Sequence, residues 1–178
     1  MNRMLILVRH GEPQMHAGKK GKLTIAGEKA SIELGQSILS ETPKGTTTTI
    51  LSSRALRCVQ TARAIQQNCG GSIVMANLRL FKADRLTIAN NQSKFSTYIQ
   101  SYAALGIESP EQYFARIQTL IHHQKGDTIV VVGHEVGLKI ILSIAANIPS
   151  ARPLRYSQQH KLLLRESSTD GTIRSIQI

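Results

Sequence analysis

Two stretches of the chain are apolar without alternation: Met4 to Val8 (MLILV) and Thr128 to Val132 (TIVVV). A strand with one solvated face would alternate, so both predict strands covered on two faces. Thr46 to Leu51 (TTTTIL) is β-branched and predicts a third strand, with Ile73 to Ala76 as a short fourth. Between them the period changes to that of helices. Ala30, Leu34 and Ile38 lie four apart within a helix expected from about Ala26 to Ser40, with Glu28 in its first turn and Pro43 and Gly45 beyond its end. Ser53 is the expected cap of a second helix that opens with Arg54 to Ala62 and closes at Gly70-Gly71. A third starts at Ser109-Pro110, with Gln112 three residues after the cap and a stripe of Tyr113, Phe114, Ile117, Leu120 and Ile121. Val136 to Ile148 is apolar nearly all round and predicts a buried helix. His160 to Arg165 and Thr172 to Ile178, about an Asp170-Gly171 turn, predict a hairpin at a sheet edge. Strands alternating with helices predict an α/β fold with a mostly parallel sheet.

Two stretches lack such a pattern. Gly18 to Lys22 is polar and reads as a mobile loop, its lysines Lys19, Lys20 and Lys22 being a solvated charge run before they are guides for an anion. Leu78 to Gly106 is irregular, with Lys82, Asp84, Arg85 and Asn90-Asn91-Gln92 ahead of a short helix expected from Lys94 to Leu105. A segment of that length is expected to act as a substrate-selecting cap, over about residues 78–108. No repeat or linker interrupts the 178 residues, which are expected to form a single domain. His122 and His123, at the end of the third helix, read as structural because adjacent helical residues point apart.

Composition narrows the classes. No stretch approaches the roughly 18 apolar residues of a membrane span, and the N-terminal run is too short for a signal sequence. Cys58 and Cys69 are too few for a disulfide framework and lack zinc-ligand spacing, so a reducing, cytoplasmic setting and no metal are expected. A net charge of +11 favours anionic partners. That charge also fits nucleic acid, but 4% aromatics and no Trp leave few stacking platforms, which places nucleic-acid binding behind a phosphorylated ligand.

Both buried strands end on histidine, in Arg9-His10-Gly11 and in Gly133-His134-Glu135. The third feeds a helix whose start carries Arg57. Parallel strands align their carboxyl ends, so these side chains are expected to converge where open α/β sheets bind ligands. Arginine offers a donor fork matched to phosphate, histidine a nucleophile or proton carrier near neutral pH, and glycine a close backbone approach.

LVRHGEP at Leu7 to Pro13, Leu23-Thr24 with Gly27, SRALRCVQTA at Ser53 to Ala62 and VVGHEVGLK at Val131 to Lys139 together resemble the histidine phosphatase superfamily, also called phosphoglycerate mutase-like. The resemblance implies a three-layer sandwich around the sheet, and a metal-independent phosphatase without cofactor. Carried over by motif, His10 is the expected phosphohistidine nucleophile, and Arg9, Gly11, Arg57 and His134 form the phosphate pocket. Six residues after the nucleophile, where many relatives carry an asparagine, stands His16, a candidate substrate contact or a plain loop histidine. The chain departs from the pattern at the glutamate that protonates the leaving group: Leu78 to Arg85 (LRLFKADR) has none. Asp84 is the first candidate for general acid and Glu135 the second, with an acidic residue stabilising a helix first turn as the plainer role of Glu135. The expected substrate is a phosphorylated small molecule or a phosphoprotein, phosphohistidine included. The alternative is a non-catalytic protein that binds phospholigands and has lost the acid.

Overall fold

The computed structural model describes residues 2–16, 19–78, 108, 110–145, 155–157, 159–166 and 173–177. Asp84, the helix expected at Lys94 to Leu105 and the cap Ser109 lie outside these residues. The described elements are β1 (Asn2–Arg9), β2 (Pro13–His16), β3 (Lys19–Leu23), α1 (Ile25–Glu41), β4 (Thr48–Ser53), α2 (Leu56–Cys69), β5 (Ser72–Ala76), α3 (Pro110–His122), β6 (Thr128–Gly133), α4 (Glu135–Ala145), β7 (Gln159–Glu166) and β8 (Ile173–Gln177).

Six strands form one sheet in the order β5-β4-β6-β1-β7-β8. The first four run parallel, and β7 and β8 close the edge as the expected antiparallel pair. Each buried strand divides its side chains between two cores. Leu5, Leu7, Leu51, Ile129 and Val131 pack with Tyr113, Ile117, Leu138 and Ile141 of α3 and α4. Ile6, Val8, Ile50, Val130 and Val132 pack with Leu34, Ile38, Cys58, Ala62 and Ile65 of α1 and α2. The three layers follow directly: successive residues of a strand point to opposite faces, so a run apolar at every position requires cover on both.

Two local expectations are corrected. The stretch after Pro13 is a two-stranded ribbon, β2 against β3, rather than a mobile loop. Its base is held by the Thr24 N–H donating to the Glu12 carbonyl at 2.9 Å and, from α2, by Gln60 Oε1 accepting from the Leu23 N–H at 2.9 Å. The cap of α2 is Ala55, with no side-chain bond, rather than Ser53. Ser53 remains in β4, paired with Ala76 of β5.

Candidate active site

The register of the sheet sets the site. Arg9 lies opposite Gly133 across β1 and β6, and Ser52 opposite Val132 across β4 and β6. The chain therefore leaves three adjacent strands at one level, carrying His10, His134 and Ser53 to the same edge. Opposite them α2 starts, and Arg57 is its second residue.

Gly11 brings the backbone after β1 against α1. A Cβ there would lie 2.7 Å from the Gly27 carbonyl oxygen and 2.8 Å from Ser31 Oγ, so only glycine fits. Its N–H donates to Thr61 Oγ1 at 2.9 Å, and Thr61 donates in turn to the Arg57 carbonyl at 2.8 Å. This chain of bonds fixes the end of β1 to the first turns of α2.

His10 is buried, and its Nδ1–H donates to the Gly11 carbonyl at 2.8 Å. A carbonyl only accepts, so the second nitrogen, Nε2, carries the lone pair. That nitrogen accepts from Arg57 Nε at 3.0 Å. Burial, reinforced by Arg57 and Arg9, lowers the imidazole to about 3 against the opposing pull of the Gly11 carbonyl. The ring is therefore neutral at physiological pH.

Arg57 also reaches His134, Nη2 to Nδ1, at 3.3 Å. A guanidinium only donates, so Nδ1 accepts and the proton sits on Nε2, which faces Ser53 Oγ at 3.1 Å. The two imidazoles stand edge to face with centroids 5.5 Å apart. Cys58 Sγ lies 3.9 Å from the His134 ring.

Arg9 and Glu135 form an ion pair, Nη1 to Oε2, at 2.9 Å. The other carboxylate oxygen of Glu135 takes Lys139 Nζ at 3.1 Å. Across the site, Tyr156 lies under the Arg9 guanidinium, 4.1 Å from Cζ to the ring centroid, with its ring 5.6 Å from that of His10.

Of the residues singled out in the sequence, His10, Gly11, Arg57, His134, Arg9 and Glu135 come together. His16 is the last residue of β2, where its backbone pairs with Lys19. Ser53 was expected as a cap, yet its hydroxyl meets His134. Tyr156 and Ser157 carry no motif, and nothing local announces their place beside the site. Among the described residues, no group of three or more His, Cys, Asp or Glu side chains is placed to hold a metal ion, and no helix is long and apolar enough to cross a membrane.

A sequence profile of the histidine phosphatase superfamily (branch 1) matches residues 5–172. The chain belongs to that superfamily. Solved structures of similar fold include a mycobacterial glucosyl-3-phosphoglycerate phosphatase, 16% identical over 99% of this chain and 97% of that one, with a TM-score of 0.71. A putative alpha-ribazole-5'-P phosphatase from Escherichia coli is 17% identical over 99% and 96%, at 0.62. A putative phosphohistidine phosphatase from Agrobacterium tumefaciens is 18% identical over 98% and 94%, at 0.58. No curated protein sequence matches the chain. The three-layer fold of this superfamily member is the phosphoglycerate mutase-like one that its motifs imply.

Proposed function

We propose that the chain is a metal-independent phosphatase that hydrolyses a phosphomonoester through a phosphohistidine on His10. The observation that carries this reading is the neutral His10 ring, tied through Nδ1 to Gly11 with its Nε2 lone pair turned to Arg57. A neutral imidazole nitrogen attacks phosphorus in line. The N–P bond forms as the ester P–O bond breaks, and the leaving oxygen takes a proton from the general acid. Water then attacks phosphorus and gives a proton back to the conjugate base of the general acid, the N–P bond breaks, inorganic phosphate leaves and Nε2 regains its lone pair. Arg9, Arg57 and the Gly11 backbone surround the phosphoryl group, with His16 on the ribbon as a further candidate contact. As Arg57 turns from the rings to the phosphoryl oxygens, Nδ1 of His134 opens to a proton, and the imidazolium adds to the positive charge about those oxygens.

Glu135 has each oxygen engaged by a separate cation, which favours a role in holding Arg9 over one in giving up a proton. Asp84 is the general acid we propose. The names of the similar structures, a sugar-phosphoglycerate phosphatase, a ribazole phosphate phosphatase and a phosphohistidine phosphatase, support a phosphorylated substrate and leave its organic part open.

Phosphate release from p-nitrophenyl phosphate tests the reading, with and without chelator, for the native chain, His10→Ala, Asp84→Asn and Glu135→Gln. Chelator-insensitive turnover lost with His10 is the expected result. Because p-nitrophenolate leaves without a proton, the acid is identified on an alkyl phosphate, where Asp84→Asn is expected to lose more than Glu135→Gln. No turnover with vanadate still bound would point instead to a phospholigand-binding protein.

A further inference from the structure

The turn at residues 155–157 is fastened to the end of β1. The Ser157 N–H lies 3.1 Å from the Arg9 carbonyl oxygen and 3.4 Å from that of His10, and its hydroxyl is 3.4 Å from Ser31 Oγ. Ser157 has φ +52°, a left-handed conformation unfavourable for a residue with a Cβ. The bonds to β1 hold it there. The consequence is the placement of Tyr156, whose ring lies against both residues that open the motif.

Arg9 is thereby held from two sides. One face of its guanidinium covers the Tyr156 ring at 4.1 Å, within cation–π range, and Nη1 meets Glu135 at 2.9 Å. Its side chain is 12% exposed. A free arginine samples many rotamers, and ordering it on an anion opposes binding. An arginine already stacked and paired avoids most of that loss, and its fork keeps one orientation as charge develops on the phosphoryl oxygens.

We infer that Tyr156 is a positioning residue for phosphoryl transfer, its ring holding the Arg9 guanidinium in the orientation that the phosphoryl group requires. The inference rests on the phosphatase reading above. Tyr156 acts through Arg9 and needs its aromatic face rather than its hydroxyl. Leucine fills similar space without a ring quadrupole, and phenylalanine keeps the ring.

The test is a double-mutant cycle. kcat and KM for p-nitrophenyl phosphate, vanadate affinity and melting temperature are measured for the native chain, Tyr156→Leu, Tyr156→Phe, Arg9→Ala and the Tyr156→Leu/Arg9→Ala pair. Tyr156 is 38% exposed, and Tyr156→Leu is expected to lower kcat and weaken vanadate binding about fivefold, a loss typical of a solvent-exposed cation–π contact. Tyr156→Phe should restore most of that loss. In the Arg9→Ala background Tyr156→Leu should cost less than about twofold, because the partner through which it acts is gone. An equal loss in both backgrounds would overturn the inference, as would native kcat and vanadate affinity in Tyr156→Leu. Either result beside an active native chain leaves the phosphatase reading standing. Should the native chain not hydrolyse the ester, the same cycle is decided on vanadate affinity, and a native chain that neither turns over nor binds vanadate would remove both readings.

Discussion

Arg57 donates from Nε to the Nε2 lone pair of His10 at 3.0 Å, the lone pair that the proposed attack on phosphorus would use. With Nη2 directed at His134, one guanidinium spans both rings. A bond from a guanidinium to a neutral imidazole is weaker than one to a phosphate dianion. On the proposed mechanism an entering phosphate dianion would draw Arg57 off His10, so that binding and exposure of the lone pair would be one event.

Arg57→Ala removes that coupling together with the charge. We expect kcat to fall by about 10² to 10³, the usual cost of one preorganised oxyanion donor. Arg57→Lys restores the charge but not the fork that reaches two rings, and should recover only a small part of the loss. Steady-state kinetics on both variants check this.

The lowered pKa of His10, to about 3, makes two expectations about pH. Activity should show no acid limb from the nucleophile above about pH 4, so any limb near neutrality belongs to the substrate or another group. Stability runs the other way from a stabilising protonation. Unfolded histidine titrates near 6.5 and the folded ring near 3, so between those values the unfolded chain binds more protons. The contribution of His10 is complete above about pH 6.5 and is lost as pH falls toward 3. Chemical denaturation across pH 4 to 8 for the native chain and His10→Gln would show a shallower slope in the variant.

Ser53 accepts from His134 Nε2 in a buried setting. Ser53→Ala removes that acceptor from a part-buried ring, at a cost of about 1 kcal/mol. Melting temperature should fall, and kcat should fall about tenfold as the His134 ring loses its fixed tautomer. A variant with native kcat would show that the Ser53 hydroxyl is not needed to orient His134.

Gly11→Ala would drive a methyl group into the Gly27 carbonyl and Ser31 Oγ. Because one neighbour is helix backbone, relief requires α1 and the loop after β1 to separate, at about 1 to 3 kcal/mol. The same movement displaces His10. We expect a lower melting temperature together with a loss of kcat, where a purely structural position would show the first alone.

Which of these features belong to the sequence and which to the fold divides along the range of the forces involved. Met4 to Val8 and Thr128 to Val132 declare doubly covered strands by composition alone, since every side chain must leave water. From that follow the parallel sheet, its helical cover and the convergence of His10, His134 and Arg57 at one edge. The β7–β8 pair was likewise legible from its flanking turn residues. Ser53 shows where local pattern ends. Its position before a helix predicts a cap, but a half-buried ring 81 residues away takes the hydroxyl. The ribbon of β2 and β3 has lysines and glycine instead of strand-forming residues, and bonds from Leu23 to Gln60 and from Thr24 to Glu12 hold its base. Tyr156 has no motif. Its proposed role depends on a turn bonded to β1 from far along the chain, Ser157 to Arg9, and a contact of that range is decided by packing, which no window of sequence contains.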